Sequence, residues 1–147
     1  PRSTSSAASD VYKRQQLSLP EMKIGMIPGS GGSARLAKMI GISRTKNIIM
    51  RGKRLSGEEA FQLGIACEVV EKSELENMTK KIVKELLGVS PLAQRTIKSV
   101  LNATQNATLH TSIDLEGEAY GRLRSSNDFK EGVKSFSEKR PPSYKGN

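Results

Sequence analysis

Apolar residues along this chain recur mostly at intervals of three and four, the spacing of one face of an α-helix. From Ser73 onward the pattern is helical throughout. Leu75, Met78, Ile82 and Leu86 predict one helix, with Ser73 and Glu76 as its capping box and Gly88 as its stop. Ser90-Pro91 predicts an N-cap with proline at the first helical position, and Ala93, Ile97, Val100 and Leu101 supply the apolar face of that helix. Leu109, Ile113, Tyr120 and Leu123 predict a longer helix, with Glu116 on or near its apolar face and in need of a partner. Phe129, Val133 and Phe136 predict a last helix, ended by Pro141-Pro142. Gly132 lies inside it, at a cost of about 1 kcal/mol against Ala.

The first half of the chain is more mixed. Met22, Ile24 and Met26 alternate with Lys23, Gly25 and Ile27, which predicts a short strand or extended piece over 17–27 with one better-buried face. Pro20 places that piece away from the middle of a sheet. The loop Pro28-Gly-Ser-Gly-Gly32 comes next, with Ser33 as N-cap of a helix carrying Leu36, Met39 and Ile40 and stopped by Gly41. Residues 43–50 predict a second helix, closed by Gly52. Ser56 and Glu59 form a capping box that opens a short helix ending at Gly64. Residues 67–71, CEVVE, are the only later stretch that reads as a strand. So few strands among so many helices make an unusual domain. If residues 17–27 belong to a sheet, their neighbours are expected outside this chain.

Composition narrows the picture. The 147 residues suffice for one domain with a real core. Hydrophobic residues make up 35% and aromatics 4%, with no Trp, so that core has to be aliphatic. The single Cys67 excludes an internal disulfide framework and a cysteine-rich zinc site. No apolar run approaches the roughly 20 residues of a membrane span. The formal charge of +9 raises the question of an acidic partner. The basic residues are scattered, however, and no aromatics interleave with them as in a single-strand-binding platform. Residues 1–16, PRSTSSAASDVYKRQQ, carry no helical or strand period and are set aside as a non-native or disordered leader.

The glycine loop admits three readings. Gly29, Gly31 and Ala34 fit the G-x-G-x-x-A of a dinucleotide fingerprint, with Arg51 placed for an adenosine phosphate. Pro28 intrudes there, and no second strand is found at the right distance. A phosphate loop of the Gly-Lys-Ser/Thr kind fails outright. The third reading starts from Glu21, a lone carboxylate in an apolar run behind Pro20. Facing a loop whose free N–H groups can hold a water, such an acid can donate or shuttle a proton at carbon.

The segment LPEMKIGMIPGSGGSARLAKMIG resembles the signature of the enoyl-CoA hydratase/isomerase (crotonase) superfamily. The blocks GKRLSGEEAFQLGIACEVV, SPLAQRTIK and SNDFKEGVKSFSEKRPPSYKG are similar to later blocks of that superfamily, in the same order over residues 17–146. The resemblance implies an α/β crotonase-like (ClpP/crotonase spiral) fragment: the end of the core over 17–71, and a helical trimerisation region over 72–147. It implies a C-terminal half, because the family's two oxyanion-hole donors and first catalytic glutamate lie upstream and nothing in residues 1–16 matches them. Glu21 matches the second catalytic glutamate. Gly29 matches the glycine whose N–H helps hold the catalytic water, and Gly31 and Gly32 the glycines that open the next helix. Phe136 and Lys139 match the region that reaches a coenzyme A, the alternatives being a core aromatic and a surface lysine. Leu17 stands where the family usually has an aromatic, and GSGGSAR where G-A-G-G-T-Q-R is frequent.

The implied activity is hydration of a trans-2-enoyl-CoA, with isomerisation through Glu21 as the alternative. No cofactor or metal is implied, and the coenzyme A thioester is the substrate. The implied assembly is a homotrimer or dimer of trimers in a bacterial-like cytoplasm or an organelle matrix, away from membrane. Readings of another class are a non-catalytic helical assembly piece and a basic nucleic-acid-binding module.

Overall fold

The computed structural model describes residues 10–147. Residues 1–9 of the expected leader lie outside that range, but residues 10–16 belong to the fold, which corrects the leader's extent. Strand β1, Asp10–Tyr12, runs parallel to β4, Glu68–Val70, with Val11 opposite Val69. The Lys13 ammonium then meets the Glu71 carboxylate at 2.7 Å. Strand β2, Gln16–Ser18, runs antiparallel to β3, Arg54–Ser56, with Leu17 opposite Leu55. Thus the sheet neighbour of residue 17 lies within the chain. The two pairs form separate two-stranded sheets.

The chain divides into two compact units, residues 1–80 and 81–147. In the first, the expected extended piece over 17–27 stops at Ser18. Pro20 has no N–H to continue a ladder, and its carbonyl instead accepts from Lys23 at 2.9 Å, opening a 3-10 turn over Glu21–Ile24. The alternation of Met22, Ile24 and Met26 therefore marks no sheet face: all three are exposed. Helix α1 spans Gly32–Ile40 and α2 Ile42–Met50. Gly31, not Ser33, is the N-cap of α1. After β3 comes α3, Gly57–Gln62, opened by the expected capping box. Ser56 Oγ accepts from the Glu59 N–H at 3.1 Å, and the Glu59 carboxylate accepts from the Ser56 N–H at 2.9 Å. Ser56→Ala removes the first of these and is expected to destabilise the unit by about 1 kcal/mol, read by denaturant unfolding; an unchanged midpoint would contradict it.

The core of this unit is aliphatic, as composition requires. Ile40, Ile48 and Leu55 are buried together, with Leu36, Leu63 and Ile65 against them. Ala60 and Ala66 form a second cluster with Leu17, Ile65 and Val69. Ala60 is fully buried, so the smallness of its side chain sets how closely α3 approaches its neighbours.

Helix α4, Leu75–Leu87, comes after a 3-10 turn over Lys72–Glu74. Ser73 lies inside that turn, so the capping box expected with Glu76 is not formed. The second unit is carried by α5, Pro91–Thr104, α6, Leu109–Arg124, and α7, Asn127–Ser137. Each opens on a hydroxyl cap: Ser90 accepts from the Ala93 N–H, Thr108 from that of Thr111, and Ser126 from that of Phe129. Val100 of α5 and Ala119 of α6 are buried. Glu116 is exposed, at the rim of a cleft lined by Ile97, Val100 and Ile113, so it needs no buried partner.

The chain end is tied down by two carboxylates of α7. That helix stops before the proline pair, because Lys139 turns left-handed (φ 52°) and Arg140 donates its N–H back to the Ser135 carbonyl at 3.1 Å. Asp128 is buried. Its Oδ1 accepts from the N–H groups of Lys145 and Gly146 at 2.9 and 3.0 Å, and its Oδ2 from Ser90 Oγ at 2.6 Å. Glu131 accepts from Arg140 through both oxygens, at 2.6 and 3.0 Å, and from the Ser143 N–H at 2.8 Å. The Ser90 hydroxyl beside Asp128 holds its carboxyl below the ordinary value. The Arg140 guanidinium holds that of Glu131 down at about 2.

Candidate active site

The glutamate and the glycine loop lie in the first unit. Leu17 anchors the approach, paired with Leu55 and packed on the Ala60–Ala66 cluster. Pro20 then turns the chain, and Glu21 heads the 3-10 turn it starts. The carboxylate is half-buried, and its Oε2 is buried with no hydrogen-bond partner among the described residues. A buried oxygen without a donor costs folding energy, so where one persists it calls for an explanation outside folding. Of the apolar residues expected to surround Glu21, Leu19 is half-buried, while Met22, Ile24 and Met26 are exposed to solvent.

Gly25 closes the turn, and the Met26 N–H donates to the Glu21 carbonyl at 3.1 Å. Pro28 is buried and Gly29 exposed. The N–H groups of Gly29, Ser30 and Gly31 meet no acceptor among the described residues, so they are free to hold a water or an oxygen of a ligand. Gly31 is left-handed (φ 78°), a backbone that favours glycine, and a Cβ there would stand 3.1 Å from Arg35 Nη1. That guanidinium donates to the Ser30 carbonyl at 2.9 Å. A 3-10 turn precedes the loop and a second helix succeeds α1, so the loop sits in no strand–loop–helix–strand unit for a dinucleotide among the described residues.

Phe136 and Lys139 lie in the second unit. Phe136 is 88% exposed within this chain. It borders a cavity of about 550 Å³ lined by Val89, Ala93, Tyr120, Leu123 and Val133. Lys139 is left-handed, and its N–H donates to the Phe136 carbonyl at 3.3 Å. Sequence reasoning missed Asp128 and Glu131, which hold Arg140 and the tail after it. Their signal was two acids three apart on a short helix, with Arg140 beyond its end. Among the described residues no group of three His, Cys, Asp or Glu side chains could hold a metal, and no helix is long and apolar enough to cross a membrane. Cys67 is exposed and in no disulfide.

Residues 10–147 match the family model described as enoyl-CoA hydratase/isomerase. A short-chain-enoyl-CoA hydratase of Clostridium acetobutylicum is 33% identical over 121 residues, which are 82% of this chain and 46% of that protein. An enoyl-CoA isomerase/hydratase of Mycosarcoma maydis is 33% identical over 140 residues, 95% of this chain and 50% of that protein. The solved structure of an enoyl-CoA hydratase from Bacillus anthracis superposes with a TM-score of 0.91 at 34% identity, over 94% of this chain and 54% of that one. The chain thus spans about half the length of the relatives it matches. Fold and sequence agree, and the chain belongs to the enoyl-CoA hydratase/isomerase family, with the crotonase fold.

Proposed function

We propose that this chain supplies the C-terminal half of an acyl-CoA hydratase, with residues 17–71 completing the catalytic core and 72–147 serving assembly. Its substrate is a trans-2-enoyl-CoA. An N-terminal part provides two N–H donors that polarise the thioester carbonyl, together with a second acid. Water held by the Gly29 N–H adds its oxygen to the β-carbon while giving up a proton to the carboxylate of that second acid, and Glu21, protonated, delivers a proton to the α-carbon. The double bond is thereby converted into one new C–O bond and one new C–H bond.

The observation that carries this reading is the buried Glu21 Oε2 with no partner of its own among the described residues. It stands on the same short segment as a loop whose Gly29, Ser30 and Gly31 N–H groups meet no acceptor among the described residues. An oxygen with no donor among the described residues is open to a water or to a proton in transit. Phe136 and Lys139 are assigned to the coenzyme A end of the substrate, Phe136 because its ring is exposed rather than packed. The assembly is assigned as a trimer or dimer of trimers.

An isomerase is the second reading, favoured by the isomerase/hydratase name of the Mycosarcoma maydis relative. The test is to give the intact enzyme, this chain together with its N-terminal part, a trans-2-enoyl-CoA and a 3-enoyl-CoA. A hydratase consumes the first with uptake of water. Turnover of the second alone would establish the isomerase instead.

A further inference from the structure

The Arg35 guanidinium has no task in the proposed chemistry, yet it grips the loop that performs it. Nη1 donates to the Ser30 carbonyl at 2.9 Å. The same side chain lies where a Cβ on Gly31 would be, with Nη1 at 3.1 Å and Cζ at 3.5 Å. Two ordinary reasons for an arginine here fail. It makes no ion pair with any carboxylate among the described residues. Nor does it support its own helix: a cation folded back over the N-terminal turn of α1 opposes the positive end of the helix dipole. The N-cap Gly31 has no side chain to hold that end either.

We propose that Arg35 is a positioning residue for the glycine loop. The Ser30 carbonyl and the Gly31 N–H belong to one peptide plane, so pinning the oxygen aims the hydrogen the opposite way. With Gly31 on one side, that peptide would otherwise rotate easily, and the Gly31 N–H would rotate with it. Donors fixed before the reaction are what such a loop contributes, and a misplacement of about 1 Å in such a site can cost about 100-fold in rate. This inference rests on the hydratase reading, and its tests keep the two apart.

In the intact enzyme, Arg35→Ala is expected to lower kcat by about 10- to 100-fold with KM little changed. Added guanidinium at tens of millimolar should restore part of the loss, because a free cation can refill the vacated position against the Ser30 carbonyl. Arg35→Lys should fall between, since an ammonium offers a donor without the planar fork. Rescue also separates positioning from misfolding, which guanidinium would not repair. Independently of activity, the amide resonances of Gly29 and Gly31 should shift in Arg35→Ala. Unmoved amides, or full kcat in Arg35→Ala beside an inactive Glu21→Gln, would overturn the proposal and leave the hydratase reading intact. Full turnover in Glu21→Gln would sink that reading instead, and the amide shifts would still decide whether Arg35 sets the loop.

Discussion

Replacing Glu21 by Gln is expected to reduce hydration in the intact enzyme by about 100- to 10,000-fold, the range associated with loss of a positioned acid or base. The amide is nearly isosteric, so the turn over Glu21–Ile24 has no reason to change. Its backbone bonds, from Lys23 to Pro20 and from Met26 to Glu21, do not involve the side chain. The buried Oε2 makes no hydrogen bond among the described residues that the substitution would break. Loss of turnover with an unchanged unfolding midpoint therefore separates chemistry from stability. KM should move little, because the group is asked to act on the proton rather than to hold the thioester. Turnover within threefold of the unsubstituted enzyme would remove Glu21 from the mechanism.

The other large effect is structural. Asp128→Ala is expected to free the chain end, with the amides of Lys145 and Gly146 exchanging at least about tenfold faster. That carboxylate accepts from both amides and from Ser90 Oγ, so one substitution strands three donors, one of them the hydroxyl that caps α5. Asp128→Asn keeps an acceptor for the tail but loses the charge, and should fall between. Acid should act in the same direction. Both carboxyls lie below their ordinary values of 3.8 and 4.5, so their contribution is complete above those values. It is lost as the pH falls through the folded value, which for Glu131 is about 2. The tail amides should stay protected at neutral pH and loosen progressively below the ordinary carboxylate range. Protection that is independent of both the substitution and the pH would contradict the clamp.

Signals confined to a few neighbouring residues were readable from the sequence. Ser56 with Glu59, and Ser90 with Pro91, announce helix starts because the capping side chain and the amide it holds sit three residues apart, and both caps form. Helices α5, α6 and α7 come from the same local spacing, but of their expected apolar faces Val100 is buried while Ile97, Leu109, Ile113, Tyr120, Val133 and Phe136 are exposed. Distant pairings were not readable. Strand β1 finds its partner 58 residues away, Asp10 opposite Glu68, and nothing within a Ser/Ala-rich stretch foretells that. Strand β3 has one apolar residue, Leu55, and exists through its pairing with β2. Over residues 17–27 the period-two pattern misled because a proline and a left-handed glycine bracket a 3-10 turn. Ser33 and Ser73 show the limit of cap reading: a suitable residue does not cap where a glycine or a preceding 3-10 turn already starts the helix. Glu21 stood out through its motif, but its unpartnered oxygen is a property of the folded chain. Asp128 looked like an ordinary first-turn acid, since its partner Ser90 lies 38 residues before it.

In the proposed reaction Glu21 moves the proton at the α-carbon. The most direct measurement is to run the hydration of a trans-2-enoyl-CoA in deuterated water with the intact enzyme and with Glu21→Gln, and to track deuterium at the α-carbon by NMR. One deuterium is expected on a single face with the unsubstituted enzyme, and loss of that incorporation together with turnover in Glu21→Gln. Stereospecific incorporation at an undiminished rate in Glu21→Gln would show that another group carries the proton, and would contradict that role.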